Sequence, residues 1–321
     1  MSFPARARYL LSFSYIGSPF NASARTSKDI DLTTVIGCLE RAFHNKRKKL
    51  GIDDISPLVI SSRTDRRVHA LLNTAHVDFT VEDKCYSANN LLTTVNYYFR
   101  KRHLPLRIIS IQQVSQDFNA RTWAKQRSYL YRIAVPKAHC ENEAIPISEV
   151  DRCFFLSVSN FNIEAVEEVL SIFPGVHDFS SFSGKPSRAL VDRTPIRHVD
   201  SCCIRRGNAL MPLLYEPSIN NFDFWDFIIE GRSFLYRQVR RMVAAAIAVG
   251  LGRLSVADVR RSLELSTPIP LSRPVAPAYG LYLAKVTYKK EDLLVNRTTY
   301  VNQEYKKLVN LLDEYKLSLK N

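Results

Sequence analysis

The sequence predicts an α+β protein made of two α/β halves that share one sheet. Strands and helices alternate along both halves of the chain, and each helix lies between strands. No glycine-rich phosphate loop interrupts that alternation. The length, 321 residues, is enough to bury one large core or two medium ones. With 46% hydrophobic and 24% charged residues, the composition is that of a globular protein rather than a disordered one. No window approaches ~18 unbroken apolar residues, so no membrane-spanning helix is expected.

The elements follow from periodicity. Tyr9–Tyr15 alternates bulky and small residues and reads as a strand. From Asp31, apolar Leu32, Val35, Ile36, Leu39 and Phe43 recur at helical spacing, closed by the basic run 45–49. Pro57–Ser62 and Ala75–Phe79 are β runs with a charged loop between them. Leu91, Leu92, Val95 and Phe99 mark a second helix, and Leu106–Val114 a further strand. The pattern recurs with a strand at Ser128–Val135, a helix at Ile163–Phe173, and strands at Arg197–Ile204 and Asp223–Glu230. Helices at Ser233–Val249 and Val256–Leu265 precede a strand at Leu281–Tyr288, and Val301, Tyr305, Leu308, Leu312 and Tyr315 predict a last amphipathic helix. Long loops rich in Pro and Arg, 183–197 and 266–279, sit where ligand-contacting loops usually do.

Forty-five Lys+Arg against 31 Asp+Glu give a net charge of +14, attractive to a polyanion, of which nucleic acid is the commonest. The six cysteines form no C-x-x-C pair and no His-flanked ligand spacing, so no metal is indicated and reduced, mostly buried thiols are expected. Residues 1–28 hold no acid, four Arg or Lys and six serines, a composition that suits a mitochondrial transit peptide. The first strand nevertheless starts almost at once.

Three constellations could carry chemistry. In Ser61-Ser-Arg-Thr-Asp65-Arg-Arg-Val-His69-Ala, a carboxylate stands among Arg63, Arg66 and Arg67 on a turn between strands. Nearby cations favour the ionised form, which suits a nucleophile or a base and makes a poor general acid. An ordinary salt-bridged turn aspartate is the plainer reading of the loop taken alone, and His69 is assigned no chemistry. From Asp117 to Arg132, arginines interleave with Phe118, Trp123, Tyr129 and Tyr131, a mix that supplies phosphate contacts and stacking surfaces for unpaired bases. Tyr129 and Tyr131 share one face of their strand. A strand with core aromatics and solvated arginines fits the pattern equally well. In the segment from Ser233 to Gly250, Leu235, Val239, Met242 and Ala246 line one side, and Arg237, Arg240 and Arg241 the other. Such a stripe could clamp phosphates or pair with a carboxylate, or be a solvated face.

Taken in order, these segments resemble the TruA family of tRNA pseudouridine synthases. The chain supplies Arg63-Thr64-Asp65…Val68-His69-Ala70, Asp117-Phe118…Ala120-Arg121, Arg127-Ser-Tyr129-Leu-Tyr131, His177-Asp-Phe-Ser-Ser-Phe182, Phe234…Val239-Arg240-Arg241-Met242 and Ala276-Pro-Ala-Tyr-Gly280-Leu-Tyr-Leu283. Each block alone is weak; six in order, over about residues 8–288, are specific. The run from Phe234 to Met242 with Val249-Gly-Leu-Gly252 looks closest to the pseudouridine synthase-like 1 branch, whose animal members are associated with mitochondria.

The resemblance implies a pseudouridine synthase fold: two ferredoxin-like α/β halves sharing a long mixed, mostly antiparallel sheet with a basic central cleft. The expected division is 8–115 and 116–288 for the two halves of the catalytic domain and 289–321 for a C-terminal helical appendage. It also implies roles. Asp65 would initiate cleavage of the base–ribose bond, Arg63 would hold the place of the extruded nucleotide, Tyr129 would stack on the target base, and Arg240 would pair with and aim Asp65. Arg121, Arg127, Tyr131, Arg237 and Arg241 would contact the RNA. The partner implied is tRNA, in the anticodon stem-loop, with mRNA and a homodimer left open and no membrane partner. The reaction is an isomerisation, so no cofactor and no metal is implied.

The chain departs from the family where Arg66-Arg67 replace the usual Ala-Gly and where the early Y-D-G…G-x-Q segment becomes Tyr15-Ile-Gly17…Asn21-Ala. A left-handed Arg67 would cost ~1–2 kcal/mol. These changes motivate a second reading, a catalytically impaired RNA-binding protein on the same scaffold. A nuclease has little support, because no carboxylate cluster accompanies Asp65.

Overall fold

The computed structural model describes residues 5–25, 29–81, 88–140, 144–184, 194–271 and 274–293. By packing, the chain divides into two compact units, one of Met1–Lys125 with Val286–Asn321 and one of Gln126–Lys285. The amphipathic helix expected over 301–315 lies outside the described residues.

In the first unit, β1 (Ala5–Tyr15), α1 (Val35–Leu50), β2 (Val59–Ile60), β3 (His69–Val81), α2 (Ala88–Lys101) and β4 (Leu106–Val114) follow in that order. The sheet order is β4-β1-β3-β2, and each pairing is antiparallel. That is the β-α-β-β-α-β arrangement of a ferredoxin-like unit. Its core is assembled from Leu11 and Phe13 on β1, Ile36 and Phe43 on α1, Phe79 on β3 and Phe99 on α2, all under 2% exposed. The Phe43 and Phe79 rings pack 5.4 Å apart.

The helical spacing that begins at Leu32 overshoots the start of α1. Leu32 is half exposed, and Thr34 caps the helix by accepting a 3.1 Å bond from the Gly37 N–H. Asp31 holds the preceding turn by accepting from the Thr33 N–H at 2.9 Å. At the other end Gly51, at φ 65°, turns the chain out of the helix behind Arg47, Lys48 and Lys49.

The second unit repeats the plan. It contains β5 (Gln126–Pro136), β6 (Phe154–Phe155), α3 (Ile163–Ser171), β7 (Gly175–Asp178), β8 (Ile196–Arg206), β9 (Phe222–Gly231), α4 (Gln238–Gly250), α5 (Val256–Glu264) and most of β10 (Leu281–Thr287). Its strand order is β10-β5-β9-β8-β7, antiparallel for β5–β9, β9–β8 and β8–β7, with β6 parallel on β5. Counting β5, α3, β8, β9, α4 and β10 gives the order of the first unit a second time. Mixed pairing on a mostly antiparallel framework agrees with the expected fold.

The helix expected from Ser233 starts five residues later. Leu235 gives its N–H to the Gln238 side chain at 2.8 Å, and the Tyr236 carbonyl is taken by the Gly184 N–H at 2.8 Å. Neither group is left for a helical ladder, and Arg237 sits in the left-handed region at φ 61°. The apolar spacing persists because this turn and α4 bury the same side: Val239, Met242 and Ala246 are in the core.

A buried ion pair ties down the loops of this unit. Arg132 on β5 donates to Glu149 at 2.7 Å and to the Asn208 carbonyl at 2.7 Å, while Glu149 also accepts from the Leu210 N–H. Both charges are satisfied, as burial requires. Among the described residues, no helix is long and apolar enough to cross a membrane.

Candidate active site

Asp65 stands on the connection from β2 to β3, and buried anchors fix the loop on both sides of it. Thr64 is held three ways. Its N–H donates to Ser23 Oγ at 2.6 Å, its hydroxyl shares a 2.8 Å bond with Tyr15 OH, and its carbonyl accepts from the Ser23 N–H at 3.3 Å. Asn73, fully buried on β3, donates through Nδ2 to the Ser62 carbonyl at 3.0 Å and to Tyr15 OH at 3.3 Å. Its Oδ1 accepts from the Ser61 hydroxyl at 3.0 Å. Burial raises the Tyr15 ionisation above its ordinary value, so the phenol stays neutral in this network. The first turn of α1 adds to it: the Val35 and Ile36 N–H groups donate to the Ala22 and Ser23 carbonyls, which places Ser23 under Thr64.

Beyond the carboxylate, Arg67 donates its N–H to the Phe20 carbonyl at 3.3 Å, and the Val68 N–H donates back to the Asp65 carbonyl at 3.2 Å. His69 is fully buried and accepts the Gly17 N–H at Nδ1, 2.9 Å away. Its ring nitrogen thus ties the loop to the segment that follows β1. A side chain at Gly17 would collide with the Val68 carbonyl, so glycine is required there. Arg67 sits at φ 65°, making with a non-glycine residue the left-handed turn that a glycine would make there. Between these anchors Asp65 is partly exposed, and Arg63 and Arg66 are exposed.

The Asp117–Arg121 segment packs with the first unit. Phe118 and Ala120 are buried, Arg8 donates to the Phe118 carbonyl at 2.8 Å, and Tyr288 OH donates to the Ala120 carbonyl at 2.7 Å. The Ala120 N–H donates to His76 Nδ1 at 3.1 Å. Burial, then the nearby Arg8 guanidinium, pull the His76 imidazole down to about 4. Asn119 Oδ1 accepts from the Arg121 N–H at 3.0 Å, presenting a partly exposed Arg121.

In the second unit, Tyr129 lies on β5 opposite Ile229 and meets the Phe234 ring edge-on at 5.3 Å. Tyr131, two residues on, is fully buried and donates its hydroxyl to the Pro277 carbonyl at 2.9 Å. Arg240 on α4 reaches the same segment: its Nε donates to the Ala276 carbonyl at 2.8 Å, and its own carbonyl accepts the Ala276 N–H at 3.1 Å. The late Ala-Pro-Ala block therefore fixes both a β5 tyrosine and the α4 arginine. Arg127 donates to the Arg232 carbonyl, and Arg241 to the Ser181 carbonyl at 3.1 Å. Arg237 is exposed, its guanidinium 4.8 Å from the Tyr236 ring centre. Arg63, Asp65 and Arg121 belong to the first unit, and Arg127, Tyr129, Tyr131, Arg237, Arg240 and Arg241 to the second.

A family model described as tRNA pseudouridine synthase matches residues 170–289. The tRNA pseudouridine synthase-like 1 protein of Homo sapiens is 35% identical over 288 residues, which is 88% of this chain and 90% of that protein. The chain belongs to the tRNA pseudouridine synthase family. The Xenopus laevis tRNA pseudouridine synthase-like 1 protein is 32% identical over 90% of this chain and 94% of its own length. The bacterial tRNA pseudouridine synthase A of Maricaulis maris is 31% identical over 88% of this chain and 98% of its own.

Within a pseudouridine synthase these parts have complementary capacities. The carboxylate loop offers a partly exposed carboxyl group between the exposed Arg63 and Arg66. The β5–α4 region offers an aromatic ring backed by Phe234 and an arginine aimed by a main-chain carbonyl. Among the described residues, no group of three or more His, Cys, Asp or Glu is placed to hold a metal ion. The sequence did not point to Ser23 or Asn73. Ser23 lies in a serine-rich stretch that reads as filler, and a lone Asn inside the β3 run is the only local sign of Asn73.

Proposed function

We propose that this protein converts uridine to pseudouridine in tRNA, in the anticodon stem-loop, with Asp65 as the essential carboxylate. The observation that carries the reading is the Asp65 loop, in which Thr64, Val68 and His69 are anchored and Asp65 is partly exposed between the exposed Arg63 and Arg66. Family membership over nearly the whole chain supports the chemistry, and the intact Asp65, Tyr129 and Arg240 support competence.

In this reading Arg63 enters the space vacated by the extruded nucleotide, and Tyr129 stacks on the uracil, offsetting an extrusion cost of roughly a few kcal/mol. Asp65 initiates cleavage of the N1–C1′ bond. The bonding pair leaves with the base, the uracil turns within the site, and C5 bonds to C1′. The C5 proton is then lost and N1 gains one, so the product has the composition of the substrate. No oxidant, reductant or second substrate takes part. Arg121, Arg127, Arg237 and Arg241 hold backbone phosphates, and Tyr131 supports the Ala276–Pro277 segment beside Arg240. A mitochondrial location, mRNA as a second substrate and a homodimer extend the proposal.

The test is to map pseudouridine in tRNA transcripts incubated with purified wild type and Asp65→Asn. The wild type should modify an anticodon stem-loop uridine, and the variant should lose at least a thousandfold in rate while binding tRNA within about threefold. Modification surviving in Asp65→Asn removes Asp65 from the chemistry. Wild-type protein leaving every uridine intact removes the activity.

A further inference from the structure

A second charged surface lies on the outer helices of the first unit, apart from the Asp65 loop. Helix α1 carries Arg41, Lys46, Arg47, Lys48 and Lys49, and α2 and the residue after it carry Arg100, Lys101 and Arg102. Seven of these eight are exposed and Lys46 is partly exposed. The two helices hold one carboxylate between them, Glu40, which is buried and paired with Arg25 at 2.6 Å. Among the described residues, none of the eight cations has a carboxylate within ion-pair range.

The two sets meet at Tyr98, beside a second tyrosine flanked by cations of α2 alone. The Tyr98 ring lies 5.8 Å from Lys46 Nζ on α1 and 4.8 Å from the Arg102 guanidinium, and Asn45 donates to its hydroxyl at 3.1 Å. Next to it Tyr97, 48% exposed, has Arg100 at 5.3 Å and Lys101 at 5.7 Å from its ring centre. Complementing helix dipoles accounts for only part of this. Cations stabilise a helix C-terminus within its last turn, by about 0.3–1 kcal/mol each, and Arg41 lies well before that turn. Crowding eight like charges without a carboxylate costs repulsion that a polyanion would relieve.

We infer that the α1–α2 surface binds RNA phosphates, with the exposed Tyr97 ring stacking an unpaired base. Phosphate-binding cations interleaved with aromatic rings are the composition that single-stranded and looped RNA requires. Helix α1 ties this surface to the Asp65 loop. Its first turn holds Ala22 and Ser23 under Thr64, and Lys46 lies eleven residues beyond Val35, about 16 Å along the axis. The surface thus contacts a part of the RNA other than the target nucleotide. The inference goes beyond the proposed reaction and requires only that the chain bind RNA.

The experiment compares wild type with the variant Lys48→Gln, Lys49→Gln, Arg100→Gln, Lys101→Gln, and separately with Tyr97→Ala, using the full chain. Labelled full-length tRNA transcript, isolated anticodon stem-loop RNA and anionic phosphatidylserine vesicles are the three probes. The fourfold variant should bind full-length tRNA at least tenfold more weakly, and its slope of log affinity against log salt should be shallower by about 3. Its affinity for the short stem-loop should stay within twofold. Tyr97→Ala should lose several-fold in tRNA affinity with the salt slope unchanged. On any tRNA that the wild type modifies, KM should rise with kcat constant. An unchanged tRNA affinity and salt slope in a folded fourfold variant overturns the inference. So does a loss confined to vesicle binding, which would make the surface a membrane contact. These binding readings stand whether or not uridine is isomerised.

Discussion

Arg67 shows how much of the Asp65 loop one backbone angle can decide. At φ 65° it occupies a region that costs a non-glycine residue ~1–2 kcal/mol, while a glycine there would add roughly 0.5–1 kcal/mol of unfolded-state entropy. Arg67→Gly should therefore stabilise the protein by about 0.5–1 kcal/mol, read as a small rise in the denaturation midpoint. Arg67→Val, β-branched in the same conformation, should destabilise it by about 2 kcal/mol or more. If both variants match wild type, the loop does not hold this turn in solution. The turn that carries Asp65 was legible in the sequence because a charged loop between two β runs is a local signal, but only the family resemblance gave the acid a role. Ser23 and Asn73 were not, because their role is defined by partners remote in sequence, Thr64 for one and Ser62 with Tyr15 for the other. A buried polar side chain acquires meaning only once the fold supplies its partner.

Among elements, strand and helix interiors followed periodicity closely and their ends did not. Hydrophobic spacing reports which side is buried, and both α1 and α4 continue that spacing into a non-helical turn. What starts each helix is hydrogen bonding: Thr34 to the Gly37 N–H in one, Gln238 to the Leu235 N–H in the other. The β3 strand supplies a prediction of its own through His76, which accepts the Ala120 N–H and so positions the segment ending in Arg121. Its imidazole is lowered from 6.5 to about 4 in the folded protein. Above pH 6.5 the ring is neutral in both states and its full contribution is present. As pH falls from 6.5 toward 4, the unfolded chain takes up the proton first, so stability is lost across that window. His76→Asn keeps an acceptor for the Ala120 N–H without a titrating group. It should flatten the fall in melting temperature between pH 7 and 4.5, and equal pH dependence in the two proteins would remove His76 as the cause.

For the molecule as a whole, alternation of strands and helices in both halves was enough to read the fold class, and the six ordered blocks were enough to read the family. The alternation alone could not reveal that the two units share one strand order, β4-β1-β3-β2 in the first and β10-β5-β9-β8 in the second; the resemblance implied it through two ferredoxin-like halves. Strand order depends on pairings between residues far apart in sequence, and in the second unit β6, β7 and α5 are inserted among the matching elements. The match puts two connections in equivalent places. The Asp65 loop joins β2 to β3, and residues 207–221 join β8 to β9.

A protein built on a repeated plan has two versions of each such turn, and in the proposed function only the Asp65 turn takes part in the reaction. The β8–β9 turn is pinned at Leu210 by Glu149 and at Glu216 by Ser148, leaving Met211, Leu213, Leu214 and Tyr215 displayed between the pins. Four extra glycine and serine residues placed after Leu213 should lengthen that arch at an entropic cost below about 1 kcal/mol, with wild-type melting and kinetics. The same four placed after Arg66 should abolish turnover, because nothing downstream of the acid could stay in step with Gly17. If lengthening the β8–β9 turn proves as damaging, the two copies are less independent than their matching geometry suggests. If it is tolerated, this is where new residues, tags or recognition sequences can be grafted without disturbing the Asp65 loop.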